Sequence, residues 1–475
     1  MIGQSGPAIN EFVALFTWHA PIPNTVSGRE FQRRLDASIA SALANLDPAS
    51  TTARAVRMIT SRTPVPSAEL FELIRHPGDM DVMVLAALQQ RLALTILGAQ
   101  GSRHVSRTRF NPALALELMN QAMDRIDAEV AHVAEETEGA VDRDALFPAD
   151  VTAELILTFL RAALTVNSPA MAEQALEELE GREANIRLPH IRFHVLIGIA
   201  AAHLAQSRPD DALLPAQRAR SVARISRDVE GAWEAERIRA VAATASGRRH
   251  LERATHQEVA ALARRIADDL ATSPAVREET TISELESRST LARILLTDDA
   301  RTEANVQAQE MLDRVIKARR AGDAPEERLW EFEVDARLVR VIASGLPENS
   351  SRQQRISATE EGAQPKRGQG RGRRRAPAPD PSSSDLGRMS PEYRRLRHEA
   401  MQAIARAPES MRHRAIWWNT YLEDRHAILL AANGEQKHAL RVAKRANRGW
   451  EELGETEHAE RIEEQIRALA GRPFP

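Results

Sequence analysis

The sharpest concentration of chemically active side chains is Lys366-Arg367-Gly368-Gln369-Gly370-Arg371-Gly372-Arg373-Arg374-Arg375, with six positive charges in ten residues. Arginine grips phosphate through two parallel N–H groups and stacks on bases, and glycine lets the backbone follow a curved surface. Lys366, Arg367, Arg371, Arg373, Arg374 and Arg375 are therefore candidate ligands for RNA or another polyanion. No aromatic residue interleaves them, so a solvated charged spacer is the competing reading. His190 and His194 stand four apart on a predicted helix, share one face and have metal-ligand spacing. No carboxylate completes a helical metal motif, and His203 lies about half a turn out of phase. His413, His426 and His438 are scattered over a later hairpin. These histidines read as packing or surface residues, and no metal is expected. Trp417, Trp418 and Tyr421 on one predicted helix read as hairpin packing rather than a ligand cage.

Other routes to chemistry are closed or bland. The acidic pairs Glu135-Glu136, Glu177-Glu178, Asp268-Asp269, Asp298-Asp299 and Glu451-Glu452 sit near helix ends or beside Arg, where ion pairs on solvated faces account for them. No glycine-rich loop precedes Lys-Ser or Lys-Thr, so a phosphate-binding loop is absent, and no Gly-x-Ser-x-Gly elbow occurs. Cysteine is absent, which removes disulfides, thiolate nucleophiles and cysteine-based zinc sites. The expectation is a protein that is not an enzyme and needs no cofactor. Lys and Arg number 64 against 67 Asp and Glu, a net charge of −3 that gives no global pull towards nucleic acid or anionic lipid. The opening residues lack the basic start of a signal peptide, and no apolar run reaches the roughly 20 residues of a membrane span. A cytoplasmic protein with no membrane partner is expected.

These side chains need a scaffold, and the pattern is helical almost throughout. Ser27 and Glu30 have capping-box spacing, followed by Phe31, Leu35, Ile39, Leu43 and Leu46 at helical intervals. Asp47-Pro48, Pro64, Pro66 and Pro77-Gly78 break the chain, and Asn111-Pro112 opens a helix to about Glu138. Helices then come in pairs: Val151–Val166 with Pro169–Glu180, Ile191–Ala205 with Pro209–Ile225, Asp228–Ser246 with Arg249–Ala271, and Thr281–Leu296 with Ala300–Arg320. Pro325–Ser344 is left without a partner. No segment alternates with period two between turn signals, so no strand is expected. Leu346 to Ser390 is rich in Pro, Gly, Ser and Arg with almost no aliphatic residues. It reads as a disordered linker that trypsin should cut first. Helices resume at Pro391–Ala407, Ser410–Ala432, Glu435–Leu453 and Thr456–Ala470. The division expected is an N-terminal segment 1–26, an array 27–345, the linker 346–390 and C-terminal hairpins 391–475. Trp417, Trp418 and Leu430 need an apolar partner, so the last unit should dock on the array near Trp330 and Phe332.

Small residues recur twelve apart across the turns: Ala163/Ala175, Ala200/Ala212, Ala242/Ala254, Ala292/Ala304 and Ala427/Ala439. With Phe159, Ala162, Leu196 and Ile199 before the turns, and with Gly434 to Ala443 as turn and second helix, the chain resembles a divergent tetratricopeptide-repeat array over Val151–Arg320 and Ser410–Ala470. The first members of these pairs step unevenly, against the family's usual period of about 34 residues. The resemblance implies an all-α solenoid of helical hairpins used for protein–protein interaction or scaffolding; the basic linker residues give RNA or polyanion binding as the alternative. It implies that the inner face of each first helix lines the partner groove. Carrying the register across gives Arg239, Arg293, Tyr421, Asp424 and Arg425 as polar groove residues. Leu157, Leu160, Ile197 and Ala201 take such positions in the first units. That departs from the family's Asn and Lys carboxylate clamp and implies a helical or apolar peptide partner.

Overall fold

The computed structural model describes residues 25–61, 67–78, 80–98, 111–137, 146–345, 389–432 and 434–470. The six basic residues Lys366 to Arg375, and the expected linker apart from Met389 and Ser390, lie outside the described residues. Among the described residues every regular element is a helix: eighteen α-helices and two short 3₁₀ turns. None of those helices is long and apolar enough to cross a membrane. The chain divides into two compact units, Met1–Leu262 and Ala263–Pro475. Each is a run of consecutive helical hairpins, so the chain is an all-α helical-repeat protein.

The first unit begins with α1 (Val26–Asn45), α2 (Thr51–Thr60), α3 (Ser67–Arg75), α4 (Val82–Ile96) and α5 (Pro112–Glu136). α4 is the apolar centre of this part, packed by α2, α3 and α5, with Leu88, Leu92 and Ala93 in the core. Arg91 on α4 donates to the Ile59 and Ser61 carbonyls at 2.5 and 2.9 Å, filling acceptors that the end of α2 leaves open. The hairpin helices follow: α6 (Ala149–Thr165), α7 (Pro169–Arg182), α8 (Pro189–Ala205), α9 (Pro209–Ile225), α10 (Val229–Ala245) and α11 (Arg249–Ala267). Proline at the first turn of α7, α8 and α9 starts each helix where its missing N–H costs nothing. α8 packs on α6 one hairpin back as well as on α9, and α10 packs on both α9 and α8. The first helices α6, α8 and α10 thus form a continuous inner layer.

A repeated turn sets the period. Asn167, Ser207, Arg227 and Gly247 each occupy the left-handed region, with φ between 57° and 66°. The next N–H reaches back over the turn in every case, as from Arg208 to the His203 carbonyl at 2.8 Å and from Asp228 to Ala223 at 2.8 Å. Asn167, Ser207 and Gly247 stand at equal 40-residue steps, and Arg227 halves the second. α8, α9 and α10 are each 17 residues long, joined by three-residue turns. The uneven steps read from alanine pairs are therefore a register effect, and the period here is 40. The members of four pairs are buried, but Ala254 is exposed and Thr255 takes its place in the core. The left-handed conformation costs a side-chain-bearing residue about 1–2 kcal/mol, less the entropy that glycine forfeits. Arg227→Gly is therefore expected to stabilise the first unit by about 0.5–1 kcal/mol, read as a higher urea midpoint by circular dichroism. A lower midpoint would contradict this account of the turn.

The second unit contains α12 (Pro274–Thr297), α13 (Arg301–Ala321), α14 (Glu326–Gly345), α15 (Pro391–Ala405), α16 (Arg412–Ala432), α17 (Gln436–Leu453) and α18 (Thr456–Ala470). α12 starts well before the expected Thr281, because Ser273 caps it and Pro274 occupies its first position. α14 is not a lone helix: it packs on α13 before it and on α15 after the intervening segment. Its last residue, Gly345, is so close to Tyr393 of α15 that an added Cβ would lie 2.7 Å from the ring. α12, α14 and α16 pack in sequence as the inner layer of this unit.

Tyr393 stacks on His426 of α16 at 5.6 Å, and its hydroxyl lies 2.6 Å from His426 Nδ1. Burial, helped by the nearby Arg397, pushes the His426 imidazolium down to about 4. The folded state holds this ring neutral, whereas the unfolded chain binds its proton near pH 6.5. Stability from this group is complete above pH 6.5 and is lost as pH falls towards 4, by about 3 kcal/mol at the lower end. His426→Gln should flatten the unit's urea midpoint over that window. An unchanged slope would show that the ring titrates normally.

Candidate functional site

In the second unit, α12, α14 and α16 enclose a cleft of about 440 Å³. Its floor is Leu296, Leu338, Val339 and Ile342, and its wall is the aromatic face of α16. On that face Arg414, Trp417, Tyr421 and Arg425 follow one another at helical spacing and stack. The Arg414 guanidinium lies 4.8 Å from the Trp417 ring, Trp417 stacks on Tyr421 at 5.3 Å, and Arg425 caps Tyr421 at 4.8 Å. Arg414 also pairs with Glu331 at 3.2 Å. On the opposite side Asp335 takes Ser289 Oγ at 2.5 Å and Arg293 at 2.6 Å. Two donors remain unused. The Trp418 indole N–H is buried with no hydrogen-bond partner, and so is the Nε–H of Arg425. A buried donor without an acceptor costs about 1–3 kcal/mol.

In the first unit, α6, α8 and α10 enclose a second cleft of about 470 Å³. It is lined by Leu157, Leu160, Ile197 and Ala201, with Arg161 and Glu234 attracting each other electrostatically. Gly198 permits the close approach of α8 to α6, since a Cβ there would fall 2.1 Å from Leu157 Cδ1.

The polar residues carried over from the repeat register separate into two groups. Arg293, Tyr421 and Arg425 come together in the cleft of the second unit. Asp424 does not line it. It is fully buried on another face of α16, where Arg461 of α18 donates to it at 2.7 Å, and burial raises its carboxyl above the usual range. One residue's step around a helix is about 100°, enough to move a neighbour from groove to core. Arg239 lies in the other unit and is taken up by the buried Glu236 at 3.1 Å, which also pairs with Arg220. Glu333 of α14 is a third buried acid of this kind. Burial pushes its carboxyl up, but hydrogen bonds from Arg337 and Arg319 outweigh that and hold it below the usual range. Missed from sequence were Trp417 and Trp418 as parts of the cleft, since their spacing was read as hairpin packing. The four-residue spacing of Trp417 from Tyr421 was the available signal. The unpaired indole N–H has none in sequence.

Fold and clefts together define a helical-repeat protein whose inner helices carry apolar clefts with a few charged groups. Among solved structures the chain is similar to the apo form of the quorum sensor NprR from B. thuringiensis, at 12% identity over 75% of this chain and 97% of that one, with a TM-score of 0.23. It is also similar to a circular tandem repeat protein with novel repeat topology and enhanced subunit contact surfaces, at 14% identity over 98% of this chain and 93% of that one, with a TM-score of 0.22. No family model and no curated protein matches the chain. The fold assignment rests on the helix packing itself.

Proposed function

We propose that the chain is a protein-interaction module, and that the inner helices of its second unit hold an apolar peptide segment bearing an acidic group. The observation that carries this reading is a cleft with an aliphatic floor, an aromatic wall and the guanidinium groups of Arg293 and Arg425 among its lining residues. Aliphatic and aromatic surface supplies affinity, and a carboxylate facing Arg425 supplies orientation. Panning a random peptide library on the full chain should enrich sequences combining aliphatic or aromatic residues with Asp or Glu. Arg425→Glu reverses the charge at the cleft and should weaken selected peptides at least about tenfold. Trp417→Ala should do the same by removing the wall. Enrichment of basic peptides, or selected peptides indifferent to both variants, would reject the proposal.

Polyanion binding through Lys366 to Arg375 is the second reading, supported by their charge density alone. Six charges released from a single-stranded nucleic acid give a log–log salt slope of about −4. A slope near zero would dismiss it.

A further inference from the structure

A separate cleft in the second unit lies between α15, α16 and the start of α17, on residues the inner-helix groove does not use. Its volume is about 640 Å³, within the range of pockets that bury small organic molecules. Met389, Met401 and Leu430 give it an apolar lining, and methionine adapts its shape to what it packs against.

The charged groups around this lining are mostly donors. Arg394 is exposed and makes no ion pair among the described residues. Arg397 gives one terminal nitrogen to Glu423 at 2.5 Å, while its buried Nε–H has no hydrogen-bond partner. Glu423 is shared with Arg445 at 2.7 Å, so one carboxylate serves two guanidinium groups. The single carboxylate among the lining residues is Glu435, which His438 Nδ1 approaches at 3.3 Å. The local balance is thus positive beside an apolar surface, and the shortage is of acceptors.

We propose that this cleft binds a small amphipathic anion, with a carboxylate or phosphate monoester head at Arg394 and Arg397 and an aliphatic or aromatic body over Met389, Met401 and Leu430. The pairing follows from charge complementarity, since Arg394 and Arg397 line the cleft against the single carboxylate of Glu435. The ionised heads share one chemistry, and their relative affinity separates the two sources.

The test is calorimetric titration of the full chain with octanoate, octyl phosphate, octylammonium and inorganic phosphate. At least one octyl anion is expected to bind with a dissociation constant on the order of 100 µM or tighter. Arg394→Glu and Met401→Glu should each weaken it at least about tenfold, through head and body respectively. Both positions are exposed, so the fold is retained, and circular dichroism verifies this. Arg425→Glu, in the other cleft, should leave the affinity unchanged. The proposal is overturned by octylammonium or inorganic phosphate binding as well as the octyl anions. It is equally overturned by indifference to Arg394→Glu, by loss in Arg425→Glu instead, or by no binding of either octyl anion at about ten times that concentration.

Discussion

Glu284→Ala is expected to destabilise the second unit by about 3–5 kcal/mol. Glu284 on α12 is almost fully buried. One carboxylate oxygen takes Arg288 Nε at 3.1 Å, and the other lies 2.9 Å from Arg314 Nε. Arg314 is itself buried and donates to Thr281 at 3.0 Å and Asp268 at 3.2 Å, while Arg288 also bonds Gln307 and Glu310. Removing the carboxylate leaves two guanidinium groups with their water already stripped and their central acceptor gone. That penalty exceeds the net worth of the intact pair, because desolvation has been incurred whether or not the partner is present. Glu286→Ala is the internal control. Glu286 is exposed and pairs with the equally exposed Arg328, an arrangement worth under about 1 kcal/mol. Trp330, Trp417, Trp418 and Trp450 all report on this unit by fluorescence. The urea midpoint should fall by more than about 1 M for Glu284→Ala and hardly move for Glu286→Ala. Equal shifts would mean that the buried network is as solvated as the surface pair.

Trp330→Ala should cost a comparable amount, about 3–5 kcal/mol, and should release α15. Trp330 is 2% exposed and lies in one core with Val334 and Leu338 of its own helix and Leu396, Ala400 and Ala403 of α15. Its indole N–H donates to the Ala403 carbonyl at 2.9 Å. That carbonyl belongs to the last turn of α15, where it also accepts from the Arg406 N–H at 3.2 Å, so the indole fills its second lone pair. The tryptophan therefore supplies both the packing and a hydrogen bond to its neighbour. Trp330→Phe keeps most of the packing and removes this one hydrogen bond, so a loss of about 0.5–1.5 kcal/mol is expected. Hydrogen exchange gives the discriminating readout. Amides of 394–405 should lose protection in Trp330→Ala far more than those of α13. Uniform loss across the unit would show that α15 is held by something other than this contact.

Much of the architecture is legible in the residues alone. Helical periodicity, N-terminal prolines and breaks at Asp47-Pro48, Pro77-Gly78 and Asn111-Pro112 act within a turn or two of chain, so local sequence suffices to place helices and exclude strands. The apolar groove positions Leu157, Leu160, Ile197 and Ala201 came from the register of the resembled repeat, and the structure gathers them into one cleft. Arg293, Tyr421 and Arg425 followed from the same reasoning.

Tertiary structure decided what local patterns leave degenerate. Alanine is so frequent that pairs twelve apart fit several registers. The 40-residue period emerges only from left-handed turns at Asn167, Ser207 and Gly247, and side-chain-bearing residues such as Asn167 and Ser207 adopt that conformation where packing on both sides imposes it. Whether a polar residue faces a groove or the core depends on what the next helix brings to it. Asp424 is buried because Arg461 arrives from α18, and Arg239 is occupied because Glu236 is buried beside it. The pairing of α14 with α15 spans residues 346–388, a separation over which chain connectivity says nothing about contact. There the apolar stripe of Trp330, Val334, Leu338 and Val341 finds its match in Tyr393, Leu396 and Ala400, and burial of that stripe is what selects the partner.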